Sequence, residues 1–488
     1  MSNNSNEESS KKPNVLSQFL AIGTGTIVNM FLGLISTPII TRVVDPNEYG
    51  QLSIFGMYTT IALMVLCLGL DQSLVRFFYD KGENTNYQRG LLKLCFSIPL
   101  LISVACAIAV SIIAHLKPSL FEFSPLFMAL LGVNVIVNLW NRFSLLVLRV
   151  SSKSKQFAIS NVLRSSVYIV VALGLIYTVK DNYLLLLVIA TIISMLVPSV
   201  FATFSSKRLW NFRNSEIISN KKEVIRFGLP FIISMGLTSI FQACDKMALN
   251  HYCSYSEVGI YSSAMTLVSI FAIIQTSFNA LWAPIQIEHV VKYPEDKQFY
   301  ENANSYITII MFFFGLCLIL FKDIFALILG AKYREAATIL PFLIFNPIMY
   351  TISETTNIGI DYSKKSYLHI IVGLGACVLN IIGNSLLVPI LASRGAAIST
   401  GISYIAFFAL RTLFSNRNYP ANYHLIKFSV LTISTIGYAA VNTFFNNTPI
   451  NIAAFAICLM VLVALYHKQI KELIRLGRRQ LSGMLRRS

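Results

Sequence analysis

The sequence predicts an all-α integral membrane protein with about 14 transmembrane helices: two pseudo-symmetric six-helix lobes around a central cavity, followed by two extra C-terminal helices. Three observations carry that reading. First, 12% of the 488 residues are charged and 55% are apolar, with a mean hydropathy of +0.65. Soluble domains carry roughly 25% charged residues, so too few remain here to cover water-facing domains. Second, the apolar residues form continuous runs of the roughly 20 residues that a bilayer core requires. Third, the 39 Lys and Arg, against 22 Asp and Glu, collect between alternate runs. A net charge of +17 distributed over membrane loops is no signal for nucleic acid, and no nucleic-acid partner is expected.

Taken in order, residues 1–14 form a polar tail with Glu7, Glu8, Lys11 and Lys12, and no small-residue cleavage site follows it. The first span therefore reads as an uncleaved anchor. Spans are expected near 15–40, 52–70, 91–115, 125–148, 158–179 and 183–204, which make an N-lobe over 15–204. A basic linker occupies 205–226. A C-lobe over 227–413 holds spans near 227–250, 260–283, 303–321, 336–353, 366–391 and 395–413. Two more spans, near 425–445 and 450–467, fill 414–467. These runs are continuous, whereas barrel strands alternate over ~10 residues. In the tail at 468–488, Ile470, Leu473, Ile474, Gly477, Leu481, Met484 and Leu485 keep helical spacing among Arg475, Arg478, Arg479, Arg486 and Arg487. That pattern reads as an amphipathic helix lying on an anionic leaflet.

With the N-terminus in the cytoplasm, 29 of the 39 cations fall on the cytoplasmic side and 7 on the outer side, while Arg142, Arg164 and Lys246 lie inside spans. The bias places both termini on the cytoplasmic side and supports an even number of spans. The stretch from 285 to 340 fits least well. Its inner loop is acidic near Glu288–Glu301, and its outer loop carries Lys322, Lys332 and Arg334.

A shift of 209 residues lays Asp45-Pro-Asn-Glu-Tyr-Gly50 on Ser254-Tyr-Ser-Glu-Val-Gly259. Both read as capping boxes, with Asp45 or Ser254 as N-cap and Glu48 or Glu257 three residues on. Pro46 occupies the first helical position, where its missing N–H costs nothing. Six spans per half restore the same orientation, so the repeats are expected to be parallel about an axis along the membrane normal.

The sequence lacks Gly-Lys, and with it any phosphate loop of the Gly-Lys-Ser/Thr type. It also lacks His-Glu-x-x-His and Gly-x-Ser-x-Gly. The eight cysteines read as buried structural thiols, no cofactor or metal is expected, and the chain reads as a transporter, not an enzyme. The chemistry then rests on polar residues inside the spans, where charge marks a function or a paired contact. Asp71 and Arg76 stand close enough in sequence to pair loosely, whereas Asp245 and Lys246 are adjacent and point about 100° apart. Asn134, Asn138 and Asn141 line one face of the helix that carries Arg142. Asn161 and Arg164 form a second polar stripe on the next span. Arg142, Arg164 and Lys246 are candidate contacts for an anionic cargo, since guanidinium grips phosphate bidentately. Arg142 is equally placed to snorkel to the surface, and Arg42 to act as an interfacial anchor. Asp71 and Asp245 read either as ion-coupling carboxylates or as structural partners.

Thr37-Pro-Ile-Ile-Thr-Arg-Val-Val-Asp-Pro-Asn-Glu-Tyr-Gly50 resembles the first-helix end of Wzx-type polysaccharide flippases of the multidrug/oligosaccharidyl-lipid/polysaccharide (MOP) superfamily. Gly69-Leu-Asp-Gln-Ser-Leu-Val-Arg-Phe-Phe78 is similar to the end of their second span. Arg226-Phe-Gly-Leu-Pro230 with Asp245-Lys246 and Glu257-Val-Gly-Ile-Tyr261 resembles their seventh-span region. Asn380-x-x-x-Asn384, Leu387-Val-Pro389 and Gly395-Ala-Ala397 are likewise typical of the family. The resemblance covers residues 15–467. It implies two lobes around a cationic cavity and alternating access, with Arg42, Arg76, Arg142, Arg164, Lys246, Asn138 and Asn161 as substrate-binding candidates. The implied cargo is an O-antigen-type oligosaccharide on undecaprenyl pyrophosphate, moved to the outer leaflet. Membrane lipids are implied as partners, and a polymerase and chain-length proteins remain open. A lipid II flippase is the nearest alternative, and a cation-coupled drug exporter, which favours acidic cavities, a more distant one.

Overall fold

The computed structural model describes residue 28 and residues 31–179, 181–445 and 447–485, and no strand occurs among them. The N-tail at 1–14 and most of the first expected span lie outside the described residues, which take up that span as α1 (Phe31–Thr41). There follow α2 (Pro46–Leu66), α3 (Leu70–Phe77), α4 (Thr85–Leu116), α5 (Pro125–Val150), α6 (Ser154–Val179), α7 (Tyr183–Ser205), α8 (Lys207–Trp210) and α9 (Lys221–Tyr252). Next come α10 (Tyr255–Val268), α11 (Ile270–Lys292), α12 (Lys297–Leu320), α13 (Lys322–Ile328), α14 (Ala336–Leu343), α15 (Phe345–Thr356) and α16 (Ile358–Tyr362). The chain ends with α17 (Tyr367–Asn418), α18 (Leu425–Phe444) and α19 (Thr448–Leu485).

Ten helices among the described residues are long and apolar enough to cross a membrane. An eleventh span arises if the pair Tyr255–Val268 and Ile273–Lys292, bent by 50°, is one span. α17 enters that number once but runs as two segments. Its backbone breaks at Ala392 (φ 48°, ψ −130°). Beyond the break the chain returns antiparallel: Gly395 lies against the Leu387 carbonyl, Ser399 Oγ donates to Asn380 O at 2.9 Å, and Gly375 lies against Leu410. The break falls between the spans expected at 366–391 and 395–413. α19 is kinked at Tyr466 (φ −117°, ψ 21°), where the last expected span gives way to the basic tail. The tail's side chains from Gly477 onward, with Arg486 and Arg487, lie outside the described residues.

The chain forms two compact units, one of Met1–Gly33 with Ala62–Ile233 and the other of Leu34–Ile61 with Ser234–Ser488. In the first, α4 packs on α5, α5 on α7 and α6 on α7. Its core gathers Leu70, Leu74, Leu91, Leu139, Phe143 and Val147, with Phe96 edge-on to Phe143 and Trp210. In the second, α15 packs on α17, α12 on α15 and α19, and α14 on α10 and α18. Five cysteines are buried, Cys253 and Cys317 are half-buried and Cys106 is exposed, which corrects the reading of all eight as buried thiols.

Within the second unit the two repeat motifs pack on each other. A Cβ on Gly50 would lie 1.7 Å from Tyr255 O, and one on Gly259 would lie 2.1 Å from Pro46 O. The 209-residue shift pairs Pro46 with Tyr255 and Gly50 with Gly259, so the contact maps onto itself as a local twofold. The capping boxes are only half present. The Glu48 carboxylate does accept the Asp45 backbone N–H, while the Asp45 carboxylate pairs with Lys332. Ser254 stands at the N-cap with no side-chain cap bond, and Glu257 instead accepts the Ser393 N–H at 3.2 Å. That N–H lies just past the break at Ala392, where a carboxylate satisfies an otherwise unpartnered donor.

Candidate substrate cavity and buried charges

In the first unit the break between α2 and α3 positions the buried acid. Gly69 adopts φ 65°, and a Cβ there would lie 2.0 Å from Gly228 O, so only glycine fits. Ser73 Oγ donates to Val224 O at 2.8 Å and fixes the first turn of α3 against the start of α9. Asp71 thus sits in the first turn of α3, where the helix dipole favours a carboxylate. It is 2% exposed, and its Oδ2 accepts from Arg142 Nε at 2.9 Å, from Arg142 Nη2 and from Gln72 Nε2 at 3.1 Å. Asp71 Oδ1 is buried without a hydrogen-bond partner among the described residues.

This geometry corrects two expectations. Asp71 pairs with Arg142 and not with Arg76. Arg76 turns outward to Asp80 at 3.0 Å, one helical turn on, a geometry that five-residue spacing does not offer. The cation of Arg142 is therefore neutralised. The polar stripe of α5 also divides. Asn138 Nδ2 bonds Asn134 O and Oδ1, whereas buried Asn141 donates to Ser199 Oγ at 3.1 Å and ties α5 to α7. On α6, Arg164 is exposed and Asn161 half-buried, and neither forms a hydrogen bond or ion pair among the described residues.

In the second unit, Asp245 on α9 lies inside a cage of neutral donors. Its Oδ1 accepts from Asn380 Nδ2 at 3.0 Å and Asn384 Nδ2 at 2.9 Å, and its Oδ2 accepts from the hydroxyls of Tyr261 and Thr400, each at 2.6 Å. The antiparallel turn-back of α17 brings Asn380 and Asn384 beside Thr400, while Tyr261 arrives from α10. Asn384 Oδ1 is buried without a partner. The neighbouring Lys246 lines the same cavity as Asp245 and Tyr261. Among the described residues its ammonium has no hydrogen bond or ion pair, and the cavity, of about 730 Å³, is also lined by Gln242, Gln275, Asn346 and His369. His369 Nε2 lies 2.9 Å from Asp361 Oδ1. Arg42, at the end of α1, is exposed.

The family description "polysaccharide biosynthesis protein" matches residues 15–288, more than half of the chain. The chain belongs to the polysaccharide biosynthesis protein family. No curated protein sequence matches this member. Its fold superposes on a structure titled "Lipid II flippase MurJ, inward closed conformation" with a TM-score of 0.69 and 14% identity, over 93% of this chain and 100% of that one. A multidrug resistance MATE family transporter of the MOP superfamily, in inward-facing conformation, superposes with a TM-score of 0.60 and 17% identity, over 82% and 97% of the two chains. Its outward-facing counterpart gives 0.53 at 17% identity, over 82% and 95%. The family and fold neighbours are transporters and flippases, not enzymes.

Several buried polar groups of this family member carry little signal in the sequence. Arg411 lies in the second half of α17, 7% exposed, and donates to Glu354 Oε1 and Ser353 Oγ, each at 2.8 Å. Arg411 and Glu354 stand at the ends of the runs expected at 395–413 and 336–353, so hydropathy alone does not mark them as a buried pair. Asn380 and Asn384 were noted only as part of the family resemblance, yet their i, i+4 spacing in an apolar run was a usable signal. Tyr261 and Thr400 had no signal, because a single hydroxyl in an apolar helix is unremarkable until its partner is placed.

Proposed function

We propose that this chain is a flippase for an undecaprenyl-pyrophosphate-linked oligosaccharide, of the kind used for O-antigen, capsule or exopolysaccharide. It carries the cargo from the cytoplasmic to the outer leaflet of the inner membrane by alternating access, with both termini in the cytoplasm. Lys246 carries this reading: an ammonium with no hydrogen bond or ion pair among the described residues, set among amides in the wall of a 730 Å³ cavity, beside a carboxylate that already accepts from four neutral donors. The ammonium suits a pyrophosphate-linked glycan, and the Asp245 carboxylate on the same cavity is already engaged by its four donors. The family match and the MOP fold support the same direction. Asp245 is our candidate for coupling: it is a buried carboxylate on the cavity, and exchanging its donated hydrogen bonds for a proton or a monovalent cation would remove its charge.

The test is a deletion strain. Accumulation of carrier-linked repeat units, read by mass spectrometry of extracted lipids, is expected. Unchanged surface polysaccharide with no accumulation would overturn the proposal. Rescue of cells depleted of their lipid II flippase would transfer the assignment to peptidoglycan precursor.

A further inference from the structure

Four rings line the same cavity in the second unit: Phe241, Tyr350, Tyr404 and Phe407. They form a connected ladder. Phe241 and Tyr404 have centroids 5.4 Å apart, Tyr404 and Phe407 are 6.1 Å apart, and Phe407 stacks on Tyr350 at 5.8 Å with 15° between planes. All four are half-buried, so each rests on the protein and leaves part of its ring to the cavity. The far end of the ladder is held rigidly. The Arg411 guanidinium lies 5.7 Å from the Phe407 centroid and 6.0 Å from that of Tyr350, and it is tied to Glu354. Glu354 also bonds the Tyr350 side chain and, through its carbonyl, the Trp282 indole at 3.0 Å. A chain of rings fixed by a buried ion pair is preorganised and loses little side-chain freedom on binding a ligand.

From this arrangement we infer that the ladder is a stacking platform for sugar rings, with Lys246 at the charged side of the same cavity; the inference rests on the flippase reading above. One face of a pyranose carries a row of C–H bonds with partial positive charge, which matches the negative face of an aromatic ring. The hydroxyls on the sugar's edge require amide and imidazole partners, and Gln242, Gln275, Asn346 and His369 stand on the same wall. A pocket with aromatic surface and few convergent polar groups both binds and orients a ligand. A purely lipidic occupant would leave those amides buried without partners. A lipophilic cation would suit the rings and would meet both the ammonium of Lys246 and the donor-engaged carboxylate of Asp245, so the test below includes one.

The experiment uses the full-length protein in nanodiscs and two defined probes, undecaprenyl pyrophosphate and undecaprenyl-pyrophosphoryl-N-acetylglucosamine, titrated by native mass spectrometry. The wild type should prefer the sugar-bearing probe by about tenfold, the ratio equivalent to about 1.4 kcal/mol. Tyr404→Leu and Phe407→Leu should each reduce that preference to less than about threefold while leaving bare-carrier affinity unchanged, since stacking on one ring contributes about that difference. Tyr404→Phe keeps the ring and should keep the preference, which separates stacking from misfolding. Lys246→Gln should weaken both probes alike. An undiminished preference in the leucine variants would overturn the platform, as would no preference in the wild type. Tetraphenylphosphonium bound more tightly by wild type than by Tyr404→Leu would reassign the ladder to cations. Each of these results is distinct from failure of the flippase reading, which is decided by whether carrier-linked glycan accumulates in the deletion strain.

Discussion

Arg142→Ala is expected to destabilise the protein before it affects transport. In the first unit Asp71 is 2% exposed, and among the described residues Arg142 supplies two of its three hydrogen bonds and its only ion pair. Removing one partner of such a buried pair typically costs about 3–5 kcal/mol, because the remaining charge is stranded. The reverse change, Asp71→Asn, strands a less costly charge: the Arg142 side chain is 26% exposed and can turn toward water, so about 1–3 kcal/mol is expected. The double variant Asp71→Asn/Arg142→Gln leaves neither charge uncompensated and should recover about 1–3 kcal/mol relative to the sum of the single losses. Detergent-solubilised membrane proteins often unfold irreversibly, so the readout is the half-life of the monodisperse peak at a fixed elevated temperature. The expected order of half-lives is wild type, then Asp71→Asn or the double variant, then Arg142→Ala. A wild-type half-life for Arg142→Ala together with lost export would refute the reasoning and return Arg142 to the cargo.

Three further outcomes follow from the geometry. Gly259→Ala and Gly50→Ala each place a methyl about 2 Å from a carbonyl oxygen, so α2 and α10 must separate; both variants should lose heat stability or export, and normal behaviour in both would show that the crossing is loose. Asp245→Asn should remove the dependence of export on an imposed Na⁺ or proton gradient, measured in inverted vesicles, and an unaltered gradient dependence would restrict Asp245 to a structural role. Ser254→Cys, in a cysteine-free background, should react with an impermeant maleimide from outside intact cells and Lys364→Cys should not; the opposite pattern would invert the proposed orientation. Both positions are exposed, so access is set by side and not by burial.

The helical runs were readable in the sequence because each segment contributes its own hydrophobicity, and hydropathy is a local property. Even the turn-back of α17 at Ala392 fell in the gap between two expected runs. Partnerships were less readable, because they join residues far apart in the chain: Asp71 and Arg142 are separated by 71 positions, Asp245 and Thr400 by 155. Local rules misled in the same way at Glu257, whose capping spacing was correct and whose partner proved to be the Ser393 N–H. The poor fit of the 285–340 region to the charge bias has a comparable origin. Lys332 pairs with Asp45, and Lys322 is buried with Asp323 at 3.2 Å, so counting those residues as free loop cations overstated the loop's charge.

Pairing also changes which interior cation matters. A sequence count gave three cations against two acids inside the spans, but Arg142 is cancelled by Asp71, and Arg411, absent from that count, is cancelled by Glu354. Lys246 and Arg164 remain. Arg164 is ten residues from the start of α6, about 15 Å along its axis, which is close to half of a hydrocarbon core of about 30 Å. An arginine at that depth has a high cost unless water or an anion reaches it, and a side chain of about 7 Å does not span the distance to either interface. Exposed and without a hydrogen bond or ion pair among the described residues, Arg164 is our second candidate contact for an anionic cargo. Arg164→Cys should react with a charged, membrane-impermeant methanethiosulfonate, and Arg164→Ala should reduce export at normal protein levels, while Arg164→Lys retains part of it. A cysteine that resists the reagent, with export intact, would mean that Arg164 faces lipid and that Lys246 alone supplies the positive charge met by the cargo.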